Sequence, residues 1–72
     1  MSIRTNDLVA AEIRAEMARK QRRQSDLVEV LGISQSGVSS RLHGRVDLTV
    51  DEVVAIAGFL EVDPAKWLAV AS

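Results

Sequence analysis

Four serines and a glutamine crowd into the stretch SQSGVSSRLHGR, which covers residues 34–45. Serine hydroxyls and a glutamine amide both donate and accept hydrogen bonds, so they can contact the polar edges of another molecule. Serine and glycine are mediocre helix formers, yet Val38 and Leu42 stand four residues apart, as on one face of a helix. The stretch therefore predicts a helix whose composition serves contact with a partner rather than stability of the fold.

Basic side chains stand on both sides of this stretch. Residues 19–45 carry six basic and two acidic side chains, whereas residues 46–72 carry one basic and five acidic side chains. The net charge of −1 alone argues against a polyanionic partner, but a polarised charge distribution orients a molecule on a polyanion even when its total charge is small. The predicted phosphate contacts are Arg19, Lys20, Arg22, Arg23, Arg41, His43 and Arg45. The alternative interpretation is an ordinary solvated surface.

Catalytic and metal chemistry find no support in the sequence. The chain has no cysteine and one histidine, so neither a disulfide framework nor a thiolate or histidine-rich metal site is predicted. His43 lies in the same predicted helix as the serines, and no oxyanion loop accompanies it. We therefore expect no enzymatic activity and no cofactor.

The length of 72 residues fits one small domain. No internal repeat, low-complexity run or linker interrupts the chain, so we expect a single domain over residues 1–72. The longest apolar run is far shorter than the roughly 20 residues that cross a bilayer, and the N-terminus lacks a signal-peptide core. A cytoplasmic protein without a membrane segment is expected.

Helical periodicity dominates the chain and predicts five helices without a strand. The predicted helices cover residues 6–21, 25–31, 35–43 and 50–61, and a last short helix starts at residue 64. The predicted caps are Thr5 or Asn6, Ser25, Ser34, Thr49 with Glu52 in a capping box, and Asp63 before Pro64.

Each predicted helix presents an apolar stripe to a shared core. In the first helix the expected core stripe is Val9, Ile13 and Met17, with Leu8 and Ala10 widening the stripe. The second and third helices contribute Leu27, Val28 and Leu31, and Val38 and Leu42. The fourth contributes Val53, Ile56, Ala57 and Leu60, with Val50 and Val54 beside them, and the last contributes Leu68. Trp67 has two interpretations, because it can pack on the core or project with Val70 toward a partner. Trp67, Leu68 and Val70 form the candidate dimer surface.

Two short predicted helices, separated by the residues LGIS, form a helix-turn-helix pattern. Gly32 can take the left-handed conformation that ends the first of them, and Ile33 fills the corner. At 100° per residue, Val38 and Leu42 fall on the same face of the second helix, and we expect this face to be buried. The opposite arc and its flanks carry Gln35, Ser36, Ser39, Ser40 and His43. Short serines let this helix approach a groove closely, and Gln35 can bond bidentately to an adenine edge.

A family resemblance rests on two runs of sequence. The run QSDLVEVLGISQSGVSSRLHG resembles the lambda-repressor and Cro-like helix-turn-helix family of phage and bacterial regulators, and LTVDEVVAIAGFLEVDPAKWL is similar to its fourth and fifth helices. The resemblance covers about residues 6–70 and extends to short regulators of actinobacterial phages. It implies an all-α, compact five-helix DNA-binding domain with the helix-turn-helix at about residues 24–43.

The resemblance also implies roles for individual residues. Gln35, Ser36 and Ser40 would face bases, with Ser39 at the edge, while Gln24 would contact a phosphate or brace Gln35. Two positions depart from the family pattern. Val28 stands where a small residue is usual, which would set the two helices slightly farther apart. Arg41 stands where an apolar residue is frequent, and we expect it to lean out toward the phosphates.

The function expected from these features is sequence-specific binding to double-stranded DNA by a transcriptional regulator. The most specific expectation is a phage or prophage repressor or Cro-like protein in the cytoplasm of a bacterium or a phage-infected host cell. Its partners would be a DNA operator and, as a candidate, a second copy of the chain. The alternative is an antitoxin or a protein-binding adaptor of the same fold.

Overall fold

Five α-helices form the regular structure of the computed structural model, which describes residues 5–71 and the side chains of residues 6–69. The helices are α1 (Thr5–Arg19), α2 (Gln24–Leu31), α3 (Gln35–Leu42), α4 (Val50–Leu60) and α5 (Pro64–Ala71). No strand occurs within residues 5–71, so the predicted all-α class is confirmed. In that part of the chain no helix is both long and apolar enough to cross a membrane.

The starts of three helices carry the capping residues that the sequence predicts. The Ser34 hydroxyl accepts the backbone N–H of Gly37 at 3.1 Å and starts α3. Thr49 Oγ1 accepts the backbone N–H of Glu52 at 3.1 Å, and Glu52 Oε1 accepts that of Thr49 at 2.9 Å. The Asp63 carboxylate accepts a backbone N–H of the first turn of α5. Each cap satisfies amides that the helix itself leaves unpaired.

Two predicted capping residues, Ser25 and Asn6, are wrong. Arg23, not Ser25, precedes α2, and Asp26 Oδ2 reaches back to accept the Arg23 backbone N–H at 3.0 Å. This carboxylate satisfies the amide of the capping residue, and the cap lies two residues earlier than predicted. Asn6 lies inside α1 and does not cap it. Its Oδ1 accepts the backbone N–H of Leu48 at 2.9 Å, which ties the loop between α3 and α4 to α1.

The predicted apolar stripes meet in one core. Its buried residues are Val9, Ala10, Ile13, Met17, Leu27, Val38, Leu42, Val53, Ile56, Ala57, Leu60 and Trp67. Val28, Leu31, Ile33 and Leu68 pack against it with part of their surface exposed. Three predicted core residues are wrong, because Leu8, Val50 and Val54 are 40%, 62% and 45% exposed. They flank the stripes of α1 and α4 and lie outside the cluster of core residues.

The helices pack so that α2 and α3 form one side of the domain. The α2–α3 pair is backed by α1, which packs on α3, and by α4, which packs on α2. Helix α5 packs on α1 and α4. Gly44, with φ +77°, turns the chain after α3, and a Cβ at this position would collide with the Asp7 carboxylate. The core therefore supports α3 from behind and leaves its other face for a partner.

Candidate nucleic-acid interface

The turn between α2 and α3 has the geometry that the sequence predicts. Gly32 has φ +65°, in the left-handed region that favours glycine, and its N–H donates to the carbonyl of Val28 at 2.9 Å. Ile33 packs against the core at the corner. Val38 and Leu42 are 0% and 1% exposed, so they fix the face of α3 that points inward.

The opposite face of α3 is polar. Gln35, Ser36 and His43 are exposed, whereas Ser39 and Ser40 are half-buried. The carbonyl of Ser40 accepts two backbone N–H groups of the loop that follows the helix. The first turn of α3 is consequently the more accessible end, and base contacts in helix-turn-helix proteins come from the N-terminal part of this helix.

Side-chain contacts within this face order several of its residues. Gln35 Nε2 donates to Gln24 Oε1 at 3.3 Å, which joins the first turns of α2 and α3. The hydroxyls of Ser34 and Ser36 lie 3.2 Å apart. His43 Nδ1 lies 2.8 Å from the carbonyl of Ser39. Of the two roles that the resemblance implies for Gln24, the contact with Gln35 is present in the free protein.

Arg41 does not lean out toward solvent as expected. Its Nε donates to Glu52 Oε2 at 2.9 Å, and a second guanidinium nitrogen donates to the carbonyl of Gly37 at 3.0 Å. The side chains of Arg41 and Glu52 are only 22% and 18% exposed. The expectation failed because it placed Arg41 by its position on one helix, whereas its partner belongs to α4.

Two further cations of the predicted phosphate set have partners inside the chain. Arg19 pairs with Glu16 at 2.8 Å, and this hydrogen bond holds the pKa of the Glu16 carboxyl below its usual value. Lys20 donates to the carbonyl of Leu60 at the C-terminal end of α4, where cations are favoured. Arg19 keeps a side chain that is 61% exposed, so its surface pair leaves it accessible.

A cleft beside α3 gathers residues that the sequence did not single out together. Arg14 and Arg22 line it with Gln24 and Leu42. Arg14, which the predictions missed, donates to the carbonyl of Leu42 at the end of α3. Arg22 lies 5.7 Å from the centre of the Phe59 ring, at cation–π distance. In the sequence, only the position of Arg14 on the flank of the apolar stripe of α1 could have indicated that it lies near α3.

The remaining predicted residues divide between surface and core. Arg23 and Arg45 are exposed. In the candidate dimer surface, Trp67 is 1% exposed and belongs to the core, Leu68 is half-buried, and the side chain of Val70 lies outside the described residues. Trp67 therefore cannot form part of a surface. Among the described side chains, no group of His, Cys, Asp and Glu residues could hold a metal ion.

Comparison with known proteins agrees with this geometry. A family model described as helix-turn-helix matches residues 13–67, which is more than half of the chain and includes both helices of the motif. No curated protein matches the chain, and no solved structure matches it.

Proposed function

The chain belongs to the helix-turn-helix family of the Cro/C1 type, and we propose that it represses transcription by binding one operator sequence. The family membership makes the chain a DNA-binding regulator. The finer role that we propose is that of a phage or prophage repressor or Cro-like protein, acting on DNA in a bacterium or in a phage-infected cell. This role rests on the resemblance in sequence to the lambda-repressor and Cro-like family.

The observation that carries the proposal is the polar face of α3. Two fully buried residues, Val38 and Leu42, hold the helix against the core, and exposed Gln35 and Ser36 stand on its first turn. A B-DNA major groove is about 12 Å wide and admits one α-helix. A thin helix whose small side chains face outward can lie deep in that groove.

The contact between Gln35 and Gln24 favours adenine as the base that Gln35 reads. An amide nitrogen carries two N–H groups, and Gln24 accepts one of them. The second N–H and the amide oxygen of Gln35 remain for DNA. The major-groove edge of adenine offers the matching pair, the N7 acceptor and the N6 amino donor. We propose that Gln24 orients this amide before DNA arrives.

The serines and the cations of the interface would complete the complex. We propose base contacts from Ser36, Ser39 and Ser40, whose hydroxyls donate or accept. The phosphate contacts that we propose are Arg14, Arg22, Arg23, Gln24, His43 and Arg45. Arg19 and Lys20 would contribute less, because both have partners within the chain. Phosphate contacts of this kind fix the register of a protein on DNA without reading its sequence.

The affinity for DNA should depend on salt in proportion to the cations that face phosphates. With four arginines in that position, the slope of log K against log salt should be about −3 to −4. Arg22→Ala should weaken binding to all sequences alike and reduce this slope by about 0.9. Titrations of fluorescent duplexes at several salt concentrations measure both quantities. A slope near zero would rule out DNA as the ligand of this surface.

Selection of duplexes from a random pool tests the proposed function as a whole. The unaltered chain should enrich one motif, and that motif should contain an A·T pair whose loss weakens binding by about 1–3 kcal/mol. Gln35→Ala should remove the preference at that pair while other positions keep theirs. A pool that shows no enrichment would contradict sequence-specific binding.

A protein partner is the second candidate, and exposed aliphatic residues favour it. Val46, Val50 and Val54 are 42%, 62% and 45% exposed on α4 and the loop before it. Such residues would suit a second copy of the chain on a palindromic operator, with half-sites about 34–36 Å apart. They would equally suit the partner of an antitoxin or adaptor. A palindromic motif from the selection would favour the second copy.

A further inference from the structure

One ion pair connects the last turn of α3 to the first turn of α4. Arg41 Nε donates to Glu52 Oε2 at 2.9 Å. The two residues are separated by the loop that contains Gly44 and the cap of α4. The side chains of Arg41 and Glu52 are 22% and 18% exposed, so the pair is largely removed from solvent. Loss of either partner would leave the other charge poorly solvated.

Both members of the pair make a second bond that fixes their position. Glu52 uses its other oxygen, Oε1, to accept the backbone N–H of Thr49 at 2.9 Å. Arg41 donates at 3.0 Å to the carbonyl of Gly37, one turn earlier in α3. A Cβ on Gly37 would lie 3.5 Å from this guanidinium, at ordinary van der Waals distance, so the arginine lies closely along its own helix. Each side chain is therefore anchored on its own helix before it reaches the other.

We propose that Arg41 and Glu52 form a clamp that sets the tilt of α3, and that Glu52 is thereby a positioning residue for base recognition. The proposal rests on the proposed function, because it concerns the helix that would read DNA. Glu52 acts through Arg41 and has no base to contact itself. A carboxylate beside a DNA-binding surface would otherwise only repel phosphates.

The geometry explains why a small change in this clamp should alter recognition. Arg41 and Gln35 lie six residues apart on α3, a distance of about 9 Å at 1.5 Å per residue. A tilt of about 6° around the clamp would move Gln35 by about 1 Å, and hydrogen bonds weaken steeply over such a displacement. The clamp thus controls direct readout without changing the charge that the protein presents to phosphates.

The clamp and a phosphate contact at Arg41 predict opposite results. If Arg41 contacts a phosphate, Arg41→Gln weakens binding to every duplex alike and reduces the salt slope by about 0.9. In that case Glu52→Gln removes a repelling charge and strengthens binding to every duplex. If the clamp holds α3, each substitution weakens binding to the selected duplex only.

The experiment compares Glu52→Gln, Arg41→Gln and the double variant with the unaltered chain. The probes are the duplex recovered by selection with the unaltered chain and a scrambled duplex of equal length. The ratio of the affinity for the selected duplex to that for the scrambled duplex should fall about tenfold in each single variant. In the double variant this ratio should fall no further, because the two residues act as one unit. Arg41→Gln should keep the salt slope on the scrambled duplex unchanged.

Thr49→Ala is the matched control. It removes the hydroxyl that caps α4 but leaves the carboxylate that holds Arg41, so it should lower Tm while the affinity ratio stays within about twofold. Glutamine at position 52 can still accept the Thr49 N–H, so the Glu52→Gln variant should fold. If Glu52→Gln does not fold, Arg41→Gln provides a second test of the clamp. Circular dichroism checks the fold of every variant.

Two results would overturn the clamp. One is an unchanged affinity ratio in Glu52→Gln and Arg41→Gln. The other is a uniform loss in Arg41→Gln on both duplexes, with a reduced salt slope. Failure of the proposed function is recognised separately, because selection with the unaltered chain would then recover no duplex before any substitution is made.

Discussion

Replacing Ser36 by glutamate is expected to abolish specific DNA binding while the fold stays as stable as before. Ser36 is exposed in the first turn of α3, where a carboxylate interacts favourably with the helix dipole by about 0.3–1 kcal/mol. The same carboxylate would face phosphates and base acceptors in the complex. Like charges brought together at an interface cost several kcal/mol, so the affinity should fall by at least about a hundredfold.

The experiment separates recognition from stability by two readouts on one variant. Fluorescence anisotropy with the selected duplex measures the affinity, and thermal unfolding followed by circular dichroism measures Tm. Ala65→Glu is the matched control, because Ala65 is exposed in the first turn of α5 and α5 packs on α1 and α4. If Ser36→Glu binds the duplex as well as Ala65→Glu does, α3 does not enter the groove.

Replacing Trp67 by alanine should leave the domain largely unfolded at 37 °C. The side chain is 1% exposed and is among the largest that are fully buried. Large-to-small substitutions at such aromatic positions cost about 3–5 kcal/mol. A domain of 72 residues has a total stability of only about 4–11 kcal/mol at the usual 0.05–0.15 kcal/mol per residue. One substitution would therefore remove a large part of that stability.

Circular dichroism and denaturant titration measure this loss, and Trp67→Phe provides the graded control. Phenylalanine refills most of the site, so its Tm should lie between those of the unaltered chain and Trp67→Ala. The interpretation of Trp67 as a dimer-surface residue predicts something else, namely a stable monomer with unchanged Tm. Trp67→Ala with native stability would contradict the observed burial.

Helix periodicity and capping chemistry predicted much of the fold, because both depend on residues within one turn of each other. Val9, Ile13 and Met17 face the core as their spacing indicates, and Thr49 with Glu52 forms the predicted capping box. The predicted cap of α2 at Ser25 was wrong, because Arg23 precedes the helix and Asp26 accepts the Arg23 backbone N–H. Local patterns identify a face but not the partner that covers it.

Because local patterns do not show which helix covers a face, they did not predict the exposure of Val50 and Val54. Val50 and Val54 lie beside the stripe of α4 that holds Val53, and periodicity alone gives no width for the buried stripe. The width depends on where α2 and α5 pack on α4, which is a property of the whole domain. The burial of Trp67 has the same origin, since α1 and α4 both pack on the helix that carries it.

The candidate site was predictable where it depends on one helix and unpredictable where it depends on two. The outer face of α3 follows from Val38 and Leu42, and Gly32 marks the turn. The partner of Arg41 is Glu52, eleven residues along and across a loop. Arg14 and the carbonyl of Leu42 are 28 residues apart. Such pairs depend on how helices pack, which helical spacing does not encode.

The most direct measurement is an NMR titration of the ¹⁵N-labelled chain with the selected duplex. A reading helix at residues 35–42 should show its largest amide shifts from Gln35 to Ser40, with smaller shifts at the arginines beside α2. The amides of α5 should change little. Shifts concentrated on α4 and α5, with Gln35 and Ser36 unmoved, would contradict DNA recognition by α3.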